Sequence, residues 1–121
     1  MTSSSLRSEI AAVLAEYAAG RQPDRAAEKA VVKASLAVLG ECAPGRSVEV
    51  RIPPYAAVQV IAGTTHRRGT PSAVVETDAR TWLELASGGR SWSDAVAAGD
   101  VHASGARSDL GGWLPLALDG G

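Results

Sequence analysis

The 121-residue chain has the length of one domain, and its 45% hydrophobic and 21% charged residues have the balance of a folded globular protein, not a disordered one. Twelve basic against thirteen acidic residues leave a net charge of −1, which argues against a nucleic-acid binder, since such proteins draw affinity from a basic face. Phe is absent and Ala, Val and Leu dominate the apolar content, so Trp82, Trp92 and Trp113 are its bulkiest side chains.

In chain order, Leu6, Ile10, Val13, Leu14 and Tyr17 recur at i, i+4, i+7, i+8 and i+11 and predict an amphipathic helix over residues 5–19. This helix lies within an N-terminal segment 1–22, with Ser5 as its N-cap and Gly20 just past its end. Pro23 or Asp24 opens a second helix that runs to about Leu39 and stops at Gly40. Its apolar positions Val31, Val32, Leu36, Val38 and Leu39 exceed one stripe, which predicts packing on a sheet.

After the Pro44-Gly45 turn the period changes. Val48 to Ile52 alternates apolar with charged residues, as a strand with one wet face does, and Pro53-Pro54 ends it. A second strand is expected from Tyr55 to Ala62, with Val58 and Val60 on one face; its lack of charge predicts a more central place than the first. A polar loop from Gly63 to Pro71 leads to a third strand, Ala73 to Thr77. Trp82, Leu83, Leu85 and Ala86 mark a short helix ending at Gly88-Gly89, and Ser91 with Asp94 has capping-box spacing for another that carries Trp92, Val96 and Ala97. A fourth strand, Asp100 to Ser104 with Val101 and Ala103 inward, precedes a last helix near Ser108–Leu114, and 116–121 reads as a tail. The order ααβββααβα predicts one α+β domain over 1–121, a small, mainly antiparallel sheet of four to five strands covered by helices.

Few residues suggest chemistry. His66 and His102 do not form a helical His-x-x-x-His pair, and Cys42 is the single cysteine, so neither a metal centre nor an intramolecular disulfide is expected. Cys42 reads as a small apolar residue just past a helix end. No Gly-x-Ser-x-Gly elbow occurs. Glu76 and Asp78, two apart, are either a carboxylate pair for acid/base chemistry or, the favoured reading, a polar strand face at Glu76 followed by a helix cap at Asp78 or Thr77. No run approaches the roughly 18 apolar residues of a membrane span and no leader pattern opens the chain, so the expected location is the cytoplasm. His66-Arg67-Arg68 is either an anion or headgroup contact at a pocket mouth or a solvated loop. The three Trp either line an apolar cavity or fill the volume that Ala leaves empty.

The segment from Val74 onward resembles the C-terminal half of the sterol carrier protein two fold. The resemblance is carried by Trp82-Leu83-x-Leu85-x-x-Gly88, Ala95-Val96-x-x-Gly99 and Val101-x-x-x-Gly105, in that order. Upstream, GRSVEVRIPPYAAVQV, HRRGTP and VVETD are similar to a group of small stand-alone bacterial sterol-carrier-like proteins, and the likeness covers about residues 24–118. A similar module forms part of mycothiol-dependent maleylpyruvate isomerase-like enzymes; the His ligands of their metal-binding domain have no counterpart in this sequence, so isomerase activity is not expected of this chain alone.

The resemblance implies non-catalytic binding of a fatty acyl or sterol-like ligand in a cavity between sheet and helices, with no cofactor. Val58, Val60, Trp82, Leu83, Trp92, Val96 and Trp113 are the candidate lining, and His66, Arg67 and Arg68 the candidate headgroup contacts. The alternative is an interaction or accessory module with a closed cavity, acting as a homodimer or beside a separately encoded enzyme.

Overall fold

The computed structural model describes residues 4–63, 71–105 and 108–118. Helix α1 (Ser4–Ala18) and helix α2 (Arg25–Cys42) precede strands β1 (Val48–Ile52), β2 (Ala56–Val60) and β3 (Ala73–Thr77). Helices α3 (Ala79–Ser87) and α4 (Trp92–Ala97), strand β4 (Val101–Gly105) and one 3-10 turn (Gly111–Trp113) follow. The α+β class stands.

α1 begins at Ser4, so Ser5 lies inside the helix instead of capping it, and Gly20 follows its end at φ +77°. α2 starts where Asp24 accepts a hydrogen bond from the Ala27 amide at 3.0 Å. It does not stop at Gly40. A glycine inside a helix costs about 1 kcal/mol, but continuing the helix buries Leu39 and the following Ala43 to 0% and 1% exposure. Gly40 also rests close to the sheet: a Cβ there would lie 3.6 Å from the Val58 side chain. Tertiary packing therefore outweighs propensity, and Cys42 becomes the last residue of the helix, exposed rather than apolar filling.

The sheet order is β2-β1-β3-β4. β1 pairs antiparallel with β2 and parallel with β3, and β3 pairs antiparallel with β4. The expected mainly antiparallel sheet is thus a mixed one of four strands among the described residues, because the β2-to-β3 link crosses β1 instead of forming a hairpin. The expected centrality is reversed as well. β1, with Glu49 and Arg51, is interior, and uncharged β2 is an edge. Charge in β1 marks its open face, not its place in the sheet: Val48, Val50 and Ile52 are fully buried, while Arg51 donates to Glu49 at 2.7 Å on the other side.

Helices α1, α2 and α3 pack together, and α2 lies on β2. The buried side of the sheet continues through Val60, Ala73 and Val75. At β4 the cover thins: Ala103 pairs with buried Val75 yet is exposed, so only Val101 of that strand is buried. The C-terminal region departs most from expectation. Gly111-Gly112 disfavours helix, and one 3-10 turn replaces the predicted helix over Ser108–Leu114. What reads as a tail is in part core, with Leu116 and Leu118 at 6% and 2% exposure. The Leu116 amide donates to the Ala86 carbonyl, and Arg7 of α1 donates to the Leu118 carbonyl, so the segment is strapped across α3 to α1.

Candidate functional site

α3 is held at both ends by local chemistry. Asp78 accepts from the Thr81 amide at 2.7 Å, and Gly88 closes the helix at φ +88° in the left-handed region that glycine adopts without a Cβ penalty. This fixes the face that carries Trp82, Leu83, Leu85 and Ala86 inward. Trp82 is 1% exposed, and its indole N–H donates to Ser35 Oγ at 2.8 Å. The Ser35 hydroxyl in turn donates to the Val31 carbonyl at 2.6 Å, so the buried indole is satisfied through α2.

Beyond Gly88 the chain opens α4, where Ser91 accepts from the Asp94 amide at 3.1 Å. α4 and the C-terminal segment enclose an open groove of about 470 Å3. Gly88, Arg90, Ser91, Trp92 and Ser93 form one wall, and Asp109, Gly111, Gly112, Leu114 and Pro115 the other. Gly111 makes the close approach possible: a Cβ there would stand 2.9 Å from the Asp109 carboxylate and 3.3 Å from the Trp92 ring. The charges of the groove are already engaged. Arg90 donates to Asp100 at 2.7 Å and lies 3.7 Å from Glu84, and the Asp100 hydrogen bond raises the guanidinium pKa further. Asp109 accepts from the Gly111 amide at 2.7 Å. What remains on offer is the half-buried Trp92 ring, Leu114, Pro115 and the hydroxyl of Ser93, which shares a 3.4 Å hydrogen bond with that of Ser91.

A second groove, about 330 Å3 and more apolar, runs between α1 and α2 over Ala12, Val13, Pro23, Ala27, Ala30 and Val31. Glu9, Glu16 and Asp24 line its rim.

The seven candidate lining residues are not gathered around one space. Val60 and Leu83 are 0% exposed and Trp82 is 1%; Val58 is half-buried against the same core. Trp92 faces the α4 groove, and Val96 and Trp113 are exposed at 42% and 39%. His66, Arg67 and Arg68 lie outside the described residues.

One polar cluster escaped the sequence reading. Glu28 of α2 is 5% exposed and accepts hydrogen bonds from both tyrosines, Tyr17 of α1 and Tyr55 in the β1–β2 turn, the latter at 2.5 Å. Arg80 stacks over the Tyr17 ring and Arg25 over that of Tyr55. The hydrogen bond to Glu28, reinforced by burial, raises the Tyr55 pKa. The signal was present: Glu28 and Ser35 occupy the same helical stripe as Val31, Val32, Leu36 and Leu39, where a polar residue implies a buried partner.

Compared with known families, residues 24–116 match the bacterial SCP ortholog family. The chain belongs to this sterol carrier protein-like family. The matched segment runs from the cap of α2 to Leu116 and contains the whole α4 groove, whereas α1 precedes it. No curated protein matches the sequence. Among the described residues, no helix is long and apolar enough to cross a membrane, and no three His, Cys, Asp or Glu side chains converge as a metal site.

Proposed function

We propose that this SCP-like domain binds a fatty acyl or sterol-like ligand without catalysis or cofactor, in the groove beside Trp92. The observation that carries this reading is the half-buried Trp92 ring in an open groove of about 470 Å3, a size within the roughly 300–1,000 Å3 of small-molecule sites. The groove lies wholly within the family segment; the more apolar α1–α2 groove has half its wall on a helix outside that segment. Trp92, Leu114 and Pro115 give apolar contact, while the exposed Ser93 hydroxyl, 3.4 Å from that of Ser91, suits an uncharged polar head. A non-catalytic role accords with the occupied polar groups: Ser91 and Asp109 are engaged by backbone amides, and among the described residues no histidine lines the groove.

Binding of fluorescent fatty acyl and sterol probes to wild type and Trp92→Ala tests this. The expected outcome is binding at micromolar level, weakened about 10-fold or more in the variant, a loss of about 1.4 kcal/mol. No uptake of either probe class, or equal affinity of the two proteins, overturns it.

A second reading, an interaction module acting as a homodimer or beside an enzyme, draws on a different observation. Val60, Trp82 and Leu83 fill the layer between sheet and helices, while Val96 and Trp113 are left exposed.

A further inference from the structure

We propose that β4 is the contact edge between two copies of the chain, which pair antiparallel through it about a two-fold axis at Ala103. This rests on the interaction reading above and is independent of the ligand reading. Among the described residues β4 has one strand neighbour, β3, and its other edge carries no strand pairing. His102, Ala103, Ser104 and Gly105 are all exposed, including Ala103 on the side of the sheet that the helices cover elsewhere. A strand edge presents unpaired amides and carbonyls that template another strand, and proteins blunt such edges with charge, proline or bulges. Val101-His102-Ala103-Ser104-Gly105 contains no Lys, Arg, Asp, Glu or Pro, and its pairing with β3 runs through all five residues without a bulge.

The sequence of the strand selects a second copy as the occupant. An antiparallel register centred on Ala103 sets Val101 against Gly105, His102 against Ser104 and Ala103 against its own counterpart. No like charges meet, the imidazole faces a hydroxyl, and the small side chains at the centre leave the backbones free to approach. The other edge is less suited. β2 lies beside α2, where Arg25, Lys29 and Lys33 are exposed at i, i+4 and i+8, and self-pairing there would bring two cationic ridges together. On the β4 side, α4 packs against the strand and exposes Val96 at 42%, which adds apolar area beside the seam. A five-residue edge buries less than the roughly 1,200 Å2 of a standard interface, so the pairing is weak.

Sedimentation equilibrium of the full chain over roughly 10–500 µM tests it, a range chosen for weak association. The wild type is expected to show a monomer–dimer equilibrium. Ala103→Glu sets two like charges on directly opposed residues whose Cα atoms are about 5 Å apart and should weaken association at least 10-fold, as should Ala103→Lys. The exposed position leaves thermal unfolding of both unchanged, and an equimolar mixture of A103E and A103K should restore dimer. A wild type that stays monomeric throughout overturns both the pairing and homodimerisation. A dimer equally tight in A103E and A103K overturns the β4 edge alone and leaves homodimerisation standing.

Discussion

The layer under the sheet and the side formed by α4 with the C-terminal segment are built from the same small-residue vocabulary, yet one is closed and the other open. Under the sheet, Trp82 is locked by Ser35 and shares one buried core with Leu83, Leu39 and Val60, none more than 1% exposed. Around α4, Trp92 is half-buried and Trp113 is 39% exposed. The difference lies in what each indole meets. α3 is long enough to lay its whole inward face on α2 and α1, whereas α4 has six residues and faces a glycine-rich segment that supplies little bulk. In a chain without Phe, a Trp fills space only where longer elements close around it.

The largest test of this contrast is truncation on each side. Leu83→Ala is expected to lower the unfolding free energy by about 2–5 kcal/mol, since the lost transfer energy is compounded by a cavity. Val96→Ala, at 42% exposure, should change it by less than about 0.5 kcal/mol. Urea unfolding of both variants measures the gap, and similar losses would abolish the distinction between closed and open sides.

A smaller effect sharpens the description of the closed side. Ser35→Ala removes the acceptor of the Trp82 N–H and leaves it buried without a partner, at an expected cost of about 1–3 kcal/mol. Ser93→Ala, its counterpart on the exposed start of α4, should cost almost nothing, and equal destabilisation in thermal melts would contradict the role given to the Ser35 relay.

The smallest effect is a pH dependence at the Glu28 cluster. The Tyr55 phenol donates to Glu28, so its folded pKa is raised above the ordinary value of about 10. The stability it contributes is therefore complete below that ordinary value and is lost as pH rises through the raised folded value. The stability advantage of wild type over Tyr55→Phe should hold steady up to about pH 10 and shrink above it. An advantage that instead falls away between pH 6 and pH 9, well below the phenol range, would show that the hydrogen bond is not its source.

Local pattern carried most of the element order. The alternation in Val48–Ile52, the Ser91 cap and the Gly20 and Gly88 stops each act within one turn or one strand and lie where the sequence places them, and the structure selects Asp24 over Pro23 and Asp78 over Thr77 as caps. Apart from the last helix, which Gly111-Gly112 breaks locally, the departures concern partners distant in sequence. The charges of β1 suggested an edge because an open sheet face and a sheet edge look alike along one strand. Gly40 suggested a stop because the weight of Val58 and the sheet against that turn is not visible in the helix itself.

The candidate site divides in the same way. The motif Trp82-Leu83-x-Leu85-x-x-Gly88 was readable as a unit, but whether its indole would line a space or fill one depended on Ser35, forty-seven residues earlier. Leu116 and Leu118 read as a tail because no periodicity marks a segment strapped down by two long-range hydrogen bonds.

The sequence by itself determined a Phe-free α+β domain, the chain order of its helices and strands as far as β4, and membership of the SCP-like family over residues 24–116. Those features are written in local period, capping chemistry and composition. Only the tertiary structure decided that the sheet is mixed with β1 inside, that Trp82 is core and Trp92 borders a groove, and that among the described residues β4 pairs on one side alone. Each of those outcomes turns on which distant surfaces meet, and burial is a property of the meeting, not of either segment.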